Sequence, residues 1–195
     1  MLAGAAMVAV AMLRLSRVST ALAESDAPQY TPNGKLLLPQ DYREWIYLSS
    51  GLGMEYNPSG PPGSEFTNVF VKPSAYRAFL NTGSWPDKTV FVLEERSSAT
   101  KGSINRTGHY QTGLEGIAAS VKDEKRFPDN WAYFSFAKDA PPARPNPRTA
   151  CFDCHNPHGA VDNTFVQFYP TLKPVAEKYG TYMETKAETE IEKPR

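Results

Sequence analysis

The sequence predicts an α+β fold that is mainly antiparallel β-sheet with short helices, and two observations favour it. First, the chain is rich in residues suited to strands and turns, with 10 Tyr, 10 Phe and 17 Pro in 195 residues. Second, short β-branched and aromatic runs alternate with turn-rich stretches, and the helical patterns between them are brief. This length suits one domain with a substantial core.

The first 23 residues differ from the rest and are predicted to be a secretory signal. Residues 2–13 form a twelve-residue apolar run that is too short to span a bilayer comfortably. A-L-A at 21–23 has the small-x-small pattern that signal peptidase cuts. Arg14 and Arg17 follow the apolar run instead of preceding it, so an uncleaved anchor or a wrongly chosen start codon stays as an alternative.

The remaining chain, residues 24–195, is expected to be a single domain, and its last part, 180–195, a charged flexible tail. The 21 basic and 21 acidic side chains give a formal net charge of zero. Such a balance gives no electrostatic reason to expect nucleic acid or an anionic membrane as partner.

The first part of the domain is predicted to contain two helices and one strand. D-Y-R-E-W-I-Y-L (41–48) places apolar residues at i, i+3 and i+4 after a proline, which predicts a short amphipathic helix. Residues 51–63 are rich in Gly and Pro and form a loop, and F-T-N-V-F-V (66–71) is a strand. K-P-S-A-Y-R-A-F-L-N-T-G (72–83) has Pro at its start and Gly at its end, as a helix does.

The middle of the domain is predicted to be three strands. T-V-F-V-L-E-E-R (89–96) is rich in strand-forming residues, and the Ser-, Thr- and Gly-rich stretch 97–113 reads as a long hairpin loop. L-E-G-I-A-A-S-V-K (114–122) alternates so that Ile117, Ala119 and Val121 share one face. W-A-Y-F-S-F-A (131–137) is the clearest strand, although it is aromatic on both faces.

The last part begins with a connector and ends with a strand and a helix. P-P-A-R-P-N-P-R (141–148) has too many prolines for helix or sheet and is predicted to be extended. F-V-Q-F-Y-P (165–170) is predicted to be a last strand, and residues 172–179 a helix.

The stretch C-F-D-C-H (151–155) contains both cysteines of the chain. In an oxidising compartment the pair could close as a strained disulfide. A zinc site could use Cys151, Cys154, His155 and His158, but adjacent Cys154 and His155 cannot easily face one tetrahedral centre. The third alternative is covalent attachment of a c-type haem, for which C-x-x-C-H is the sequence signature.

Haem attachment is the interpretation we favour, because the chemistry requires this spacing. Two thiols one helical turn apart can add to the two vinyl groups of one porphyrin, and the next histidine can bind the iron from below the ring. We therefore predict one covalent haem c per chain, with Cys151 and Cys154 as thioether anchors and His155 as axial ligand and metal ligand.

No residue stands out as a second iron ligand. Met183 lies in the charged C-terminal stretch, and His109 lies in a turn-rich segment that is expected at the surface. His158 follows His155 by three residues, so the two cannot bind opposite faces of one ring, and its role stays open. The sequence therefore predicts a five-coordinate iron with one open side, which suits the binding of small molecules.

Seven segments together resemble the cytochrome P460 family, which includes the β-sheet cytochromes c′. They are the late C-x-x-C-H motif, L-L-P-Q-D-Y-R-E-W (37–45), V-K-P-S-A-Y-R-A-F (71–79), T-G-S-W-P-D-K-T (82–89), A-S-V-K-D-E-K-R-F (119–127), N-W-A-Y-F-S-F (130–136) and F-V-Q-F-Y-P (165–170). The resemblance implies a periplasmic, usually homodimeric, β-rich protein with a five-coordinate haem c. Cys151, Cys154 and His155 match the family's anchors and proximal ligand.

The family divides by what lies above the iron. Its P460 enzymes oxidise hydroxylamine and have a lysine cross-linked to the porphyrin and a distal carboxylate, whereas its β-sheet cytochromes c′ have a phenylalanine cap and bind nitric oxide. Here A-Y-R-A-F-L-N-T-G (75–83) contains no lysine where the cross-link is expected. Phe79 and Leu80 thus become candidates for an apolar distal cap. The lysines nearest to this stretch are Lys72, which is interpreted as a solvated surface residue, and Lys88. The candidates for a distal carboxylate are Glu95 and Glu115.

Three functions follow, in order of preference. The first is a haem c protein that binds nitric oxide or a similar small nitrogen-oxide ligand. The second is a hydroxylamine oxidoreductase that passes electrons to a partner cytochrome. The third is a simple electron carrier, which requires a sixth protein ligand.

Overall fold

A computed structural model describes residues 26–54, 65–137 and 139–188 of the chain. Its centre is a five-stranded antiparallel sheet in which each strand pairs with the next along the chain, in the order β1-β2-β3-β4-β5. The strands are β1 (Ile46–Leu52), β2 (Phe66–Val71), β3 (Val90–Ala99), β4 (Tyr110–Lys122) and β5 (Trp131–Phe136). The helices are α1 (Pro73–Thr82), α2 (Arg148–His158), α3 (Lys173–Tyr179) and α4 (Glu184–Glu188). The predicted α+β fold is therefore confirmed.

Both faces of the sheet are covered, by different parts of the chain. One face packs against the N-terminal segment through a buried cluster that includes Leu36, Tyr42, Trp45, Val92 and Phe134. The other face packs against helices and loops through a second cluster. Ile117, Ala119 and Val121 lie together in the first cluster, as their alternation predicts.

Helix α1 ends as its sequence predicts. Gly83 has φ 69°, and its N–H donates to the carbonyl of Phe79, which is the left-handed helix end that glycine favours. Phe79 and Trp85 are buried with Leu172 and Ala176, so α1 and α3 pack together over one end of the sheet. The rest of that sheet face is left for the functional site.

The hairpin of β3 and β4 is longer than predicted. Residues 97–113 are predicted to be loop, but β3 continues to Ala99 and β4 begins at Tyr110, with Ser98 opposite Gln111. Ser and Thr are tolerated on the exposed end of a hairpin, where backbone pairing decides the structure more than side-chain packing does.

Two predicted elements are wrong. A helix is predicted at 41–48, but the structure has a 3₁₀ turn at Tyr42–Glu44 followed by β1. The reason is that Tyr42 and Trp45 pack on one face of the sheet, whereas Leu48 packs on the other face. The strand predicted at 165–170 is a 3₁₀ turn at Val166–Phe168. Its apolar residues pack onto the sheet face rather than alongside an edge strand, so the apolar run gives no strand.

The predicted signal, residues 1–23, and the end of the predicted tail, residues 189–195, lie outside the described residues. The described part of the tail is attached to the domain. The Thr181 hydroxyl donates to the Gly83 carbonyl at 2.6 Å, and the Met183 N–H donates to the Ala160 carbonyl at 2.8 Å. Across the described ranges, no helix has both the length and the apolar character needed to cross a membrane.

Candidate cofactor-binding cleft

Helix α2 carries the C-F-D-C-H motif, and Cys151 and His155 of this motif face the sheet. Positions 151, 154 and 155 are spaced i, i+3 and i+4, which places these side chains on one side of the helix. Phe152 is buried in the core and anchors the helix. Both cysteines are partly buried, and they are not joined in a disulfide in the structure.

The imidazole of His155 is held in one orientation. Its Nδ1 lies 2.9 Å from the carbonyl oxygen of Asn163. Because a carbonyl oxygen can only accept, Nδ1 carries the hydrogen and Nε2 keeps the free lone pair. The ring lies between Tyr133 and Phe165, with centroid distances of 4.3 and 4.4 Å. Burial lowers the pKa of His155, although the hydrogen bond to Asn163 opposes this effect, so the neutral form that binds metals is favoured.

A cleft lies between α2 and the sheet. It is partly open to solvent, and most of its lining surface is apolar, as is usual for cofactor sites. Every second residue of each strand forms its floor: Ser49 and Gly51, Thr67 and Val69, Phe91 and Leu93, Ala118 and Ser120, Tyr133 and Ser135. Its wall comes from the C-terminal part of the chain: Cys151, His155, Thr164, Phe165, Phe168 and Tyr169.

The floor is hollow because its residues are small. Six of the ten floor residues are Gly, Ala, Ser or Thr. The opposite face of the same strands has larger side chains, including Phe70, Val92, Phe134 and Phe136. The smaller side chains leave space on the cleft side of the sheet, which suits a flat prosthetic group.

The lining carries no charge. Among the described residues that line the cleft, none is Asp, Glu, Lys or Arg. Cys151 and His155 line the largely apolar cleft, and Cys154 lies on the same helix outside that lining. The two thiols and the neutral imidazole with its available Nε2 fit a haem attached through C-x-x-C-H. A zinc site does not fit, because no three His, Cys, Asp or Glu side chains of the described chain are arranged to hold a metal ion.

The two residues predicted to cap the iron lie elsewhere. Phe79 is fully buried in the core, where its ring is 4.1 Å from that of Trp85. Leu80 is 39% exposed on the outer side of α1. Neither lines the cleft, because α1 packs against α3 and turns Phe79 toward that helix. The apolar surface that faces the cleft comes instead from the sheet, at Val69, Phe91 and Leu93.

The lysines named from the sequence also lie outside the cleft. Lys72 is 8% exposed, so its interpretation as a solvated residue is wrong. Its Nζ donates to the Asp26 carbonyl at 2.7 Å, and Lys88 pairs with Asp123.

The two candidate carboxylates differ in their positions. Glu95 is paired across the sheet with Thr67 of the floor and with Gly116, so it lies on the cleft side of β3, two residues beyond Leu93. Burial, followed by the nearby carboxylate of Glu65, raises the pKa of Glu95. Glu115 accepts a hydrogen bond from the Ser97 hydroxyl at the exposed hairpin. Glu95 is therefore at the rim of the cleft, and Glu115 is not.

The other candidate ligands lie away from the lining. His109 is exposed in the β3–β4 hairpin, and Met183 is 48% exposed. His158 closes α2, and its carbonyl accepts a hydrogen bond from Gln167.

The sequence interpretation missed most of the lining, and three of the missed residues bear on the chemistry of the site. Met54 follows β1 and brings a thioether to the cleft. Tyr133 packs on the His155 ring, and Asn146 directs its amide to the sulfur of Cys151 at 3.5 Å. The strand alternation that places Tyr133 on the face of Trp131 could have identified it. Met54 and Asn146 lie in loops, whose positions no periodicity predicts.

Comparison with known proteins agrees with this geometry. The sequence model of the family described as Cytochrome P460 matches residues 39–166, which is more than half of the chain. The matched range runs from just before β1 to Val166 and contains the whole sheet and the C-F-D-C-H helix. No curated protein matches the chain.

Proposed function

The chain belongs to the cytochrome P460 family, and on that premise we propose that it is an exported haem c protein that binds nitric oxide or a similar small nitrogen-oxide ligand. The family implies a haem cofactor. We assign one covalent haem per chain, with thioether bonds from Cys151 and Cys154 and His155 as the axial ligand. Export to the periplasm and a homodimeric state are part of the proposal.

One observation carries the proposal, namely an uncharged, largely apolar cleft that faces a histidine with a free Nε2. Haem iron held by a single histidine supplies an open coordination position for a small ligand. The largely apolar lining destabilises charged or strongly hydrated ligands, because its few hydroxyl groups replace only part of their hydration. A neutral diatomic gas loses little on entering such a site.

The second candidate is hydroxylamine oxidation, and Glu95 is the observation that favours it. Proton removal from a bound amine requires a general base within reach. Glu95 lies on the cleft side of β3 and has a raised pKa, as a general base needs. However, the described lining contains no lysine for a cross-link to the porphyrin. We therefore rank this activity second.

The third candidate is electron transfer, and Met54 is the observation that bears on it. A thioether is a common second ligand in electron-transfer cytochromes. Met54 lines the cleft but is 38% exposed, so it lies toward the open mouth. We rank a closed coordination shell third.

The decisive measurement is the absorption spectrum of the ferrous protein, made together with a c-type haem maturation system, before and after nitric oxide. A high-spin haem c spectrum that changes with the gas supports the proposal. A strongly red-shifted Soret band indicates a modified porphyrin and favours hydroxylamine oxidation. A low-spin spectrum that ignores the gas indicates an electron carrier.

Three further experiments test the proposal. The double variant Cys151→Ala, Cys154→Ala is expected to lose haem on denaturation, whereas the wild-type chain keeps it. Covalent haem in the double variant contradicts the thioether assignment. Glu95→Gln, which keeps size and removes the base, is expected to leave nitric oxide binding unchanged. Light scattering of the holoprotein tests the homodimer.

A further inference from the structure

We propose that the turn Val161–Thr164, clamped by Lys122 and Trp131, sets the orientation and electron donation of the His155 imidazole, and that Asp162 and Lys122 are positioning residues of the haem site. This inference rests on the proposed function, because it requires His155 to bind the iron. It assigns a role to a partly buried ion pair, Lys122–Asp162, that lies outside the cleft lining.

The turn is tight and its backbone geometry is unusual. Asp162 and Asn163 have φ of 47° and 60°, as in a type I′ turn, where both central residues are left-handed. Asp and Asn tolerate this conformation better than other residues with a Cβ. The Thr164 N–H donates to the Val161 carbonyl at 2.8 Å, and the Trp85 indole donates to the Thr164 hydroxyl at 2.8 Å.

The carboxylate of Asp162 is held at both oxygens. Lys122 and Trp131 are opposite each other in the pairing of β4 and β5, so both side chains reach the same point. Lys122 Nζ donates to Oδ2 at 2.7 Å, and Trp131 Nε1 donates to Oδ1 at 3.2 Å. Lys122 is 8% and Trp131 3% exposed, whereas the Asp162 side chain is 31% exposed, so these bonds are partly shielded from water. A partly shielded charge-assisted bond is stronger than a fully exposed pair.

The end of α2 approaches the turn closely because residue 159 is glycine. A Cβ on Gly159 would lie 2.6 Å from the carbonyl carbon of Asn163 and 2.7 Å from the nitrogen of Thr164. Without that Cβ, the Asn163 carbonyl oxygen reaches 2.9 Å from Nδ1 of His155. The Tyr133 hydroxyl donates to the same oxygen at 3.4 Å.

The consequence for the iron follows from the partner of Nδ1. A carbonyl that accepts from Nδ1 fixes the tautomer and ring angle of a metal-binding histidine and makes its other nitrogen a better donor. If the clamp is loosened, the carbonyl of Asn163 is no longer fixed. Nε2 then donates less, the iron–histidine bond weakens, and the ferric state loses more stabilisation than the ferrous state.

The test uses the haem-loaded protein and three variants. Lys122→Met removes the ammonium and keeps the apolar stem, and Asp162→Asn removes the charge but keeps an oxygen for Trp131 and tolerates positive φ. Lys88→Met is the matched control, because Lys88 pairs with Asp123 rather than with the turn. The readouts are the iron–histidine stretching frequency of the ferrous protein and the reduction potential.

Both clamp variants are expected to lower the stretching frequency and to shift the ferric–ferrous equilibrium toward the ferrous state by up to about tenfold. The control is expected to match the wild type. Wild-type frequency and potential in the clamp variants overturn the inference, because the cluster then only stabilises the fold. If Lys122→Met does not fold, Asp162→Asn decides. A wild-type protein without an iron–histidine vibration refutes the proposed function itself, which is a different result.

Discussion

Substitution of Phe79 can distinguish a role in the hydrophobic core from a role next to the iron. Its side chain is fully buried, and its ring lies 4.1 Å from Trp85, which in turn lies 4.7 Å from Phe91 of the cleft floor. Two rings thus separate it from the cleft surface. We predict that Phe79→Ala destabilises the fold but leaves ligand binding intact.

The magnitude follows from burial. Replacing a fully buried Phe by Ala costs about 3–5 kcal/mol, from lost transfer energy and the cavity left behind. That is a large share of the ~5–15 kcal/mol stability of a typical domain. At ~2–4 °C per kcal/mol for a chain of this size, the melting temperature should fall by roughly 6–20 °C.

The assay combines denaturant unfolding of the holoprotein with titration by nitric oxide. Leu80→Ala is the control, since a 39% exposed side chain should change the unfolding free energy by no more than about 0.5 kcal/mol. The reasoning is refuted if Phe79→Ala keeps wild-type stability while its Soret band or gas affinity changes. Phe79 would then act at the iron.

Three more predictions follow from described contacts. Glu94 is 2% exposed and accepts hydrogen bonds from Tyr42, Arg43 and Arg96 at 2.5, 2.8 and 2.7 Å, so Glu94→Gln should lower the unfolding free energy at neutral pH by about 1–3 kcal/mol. Burial alone would raise the pKa of Glu94, but these donors lower it below its ordinary value of 4.5. The stabilisation by ionised Glu94 is therefore present above pH 4.5 and is lost as the pH falls through the folded-state pKa. A difference in unfolding free energy between wild type and variant that does not shrink in acid contradicts this prediction. Gly83→Ala should lower the free energy of unfolding in denaturant by about 1–3 kcal/mol, because φ is 69° and the new Cβ would lie 2.7 Å from Cβ of Tyr179. The control is Gly113→Ala, whose new Cβ meets only atoms at 3.4 Å or beyond. Equal losses of stability in the two variants would count against the argument. Met54→Leu should leave the ferrous absorption spectrum unchanged, whereas conversion from low to high spin would show that Met54 binds the iron.

Local patterns predicted the parts of the fold that local forces decide. Strand β2, helix α1 with its proline start and glycine end, and the shared face of Ile117, Ala119 and Val121 are all confirmed. The errors occur where tertiary packing overrides a local pattern. Residues 41–48 have helical spacing, but Tyr42 and Leu48 are needed on opposite faces of the sheet.

The site shows the same limit. The spacing of Cys151, Cys154 and His155 is a local feature, and the structure places the three on one side of α2. The cap was predicted from nearness in sequence to a family position, which does not reveal that α1 faces α3. The carbonyl of Asn163 could not be predicted either, since a backbone group leaves no trace in residue identity. The V-D-N-T sequence of its turn did carry a detectable signal.

The hollow face of the sheet makes the cofactor a part of the core that the sequence does not encode. Gly51, Ala118 and Ser120 on the floor have side chains too small to fill the space above them, which a porphyrin would occupy. A chain that fails to acquire haem therefore keeps apolar surface in contact with water on both walls of the cleft. Haem attachment and stability are thereby coupled, because the chain without haem is more susceptible to proteolysis and aggregation than the chain that carries it.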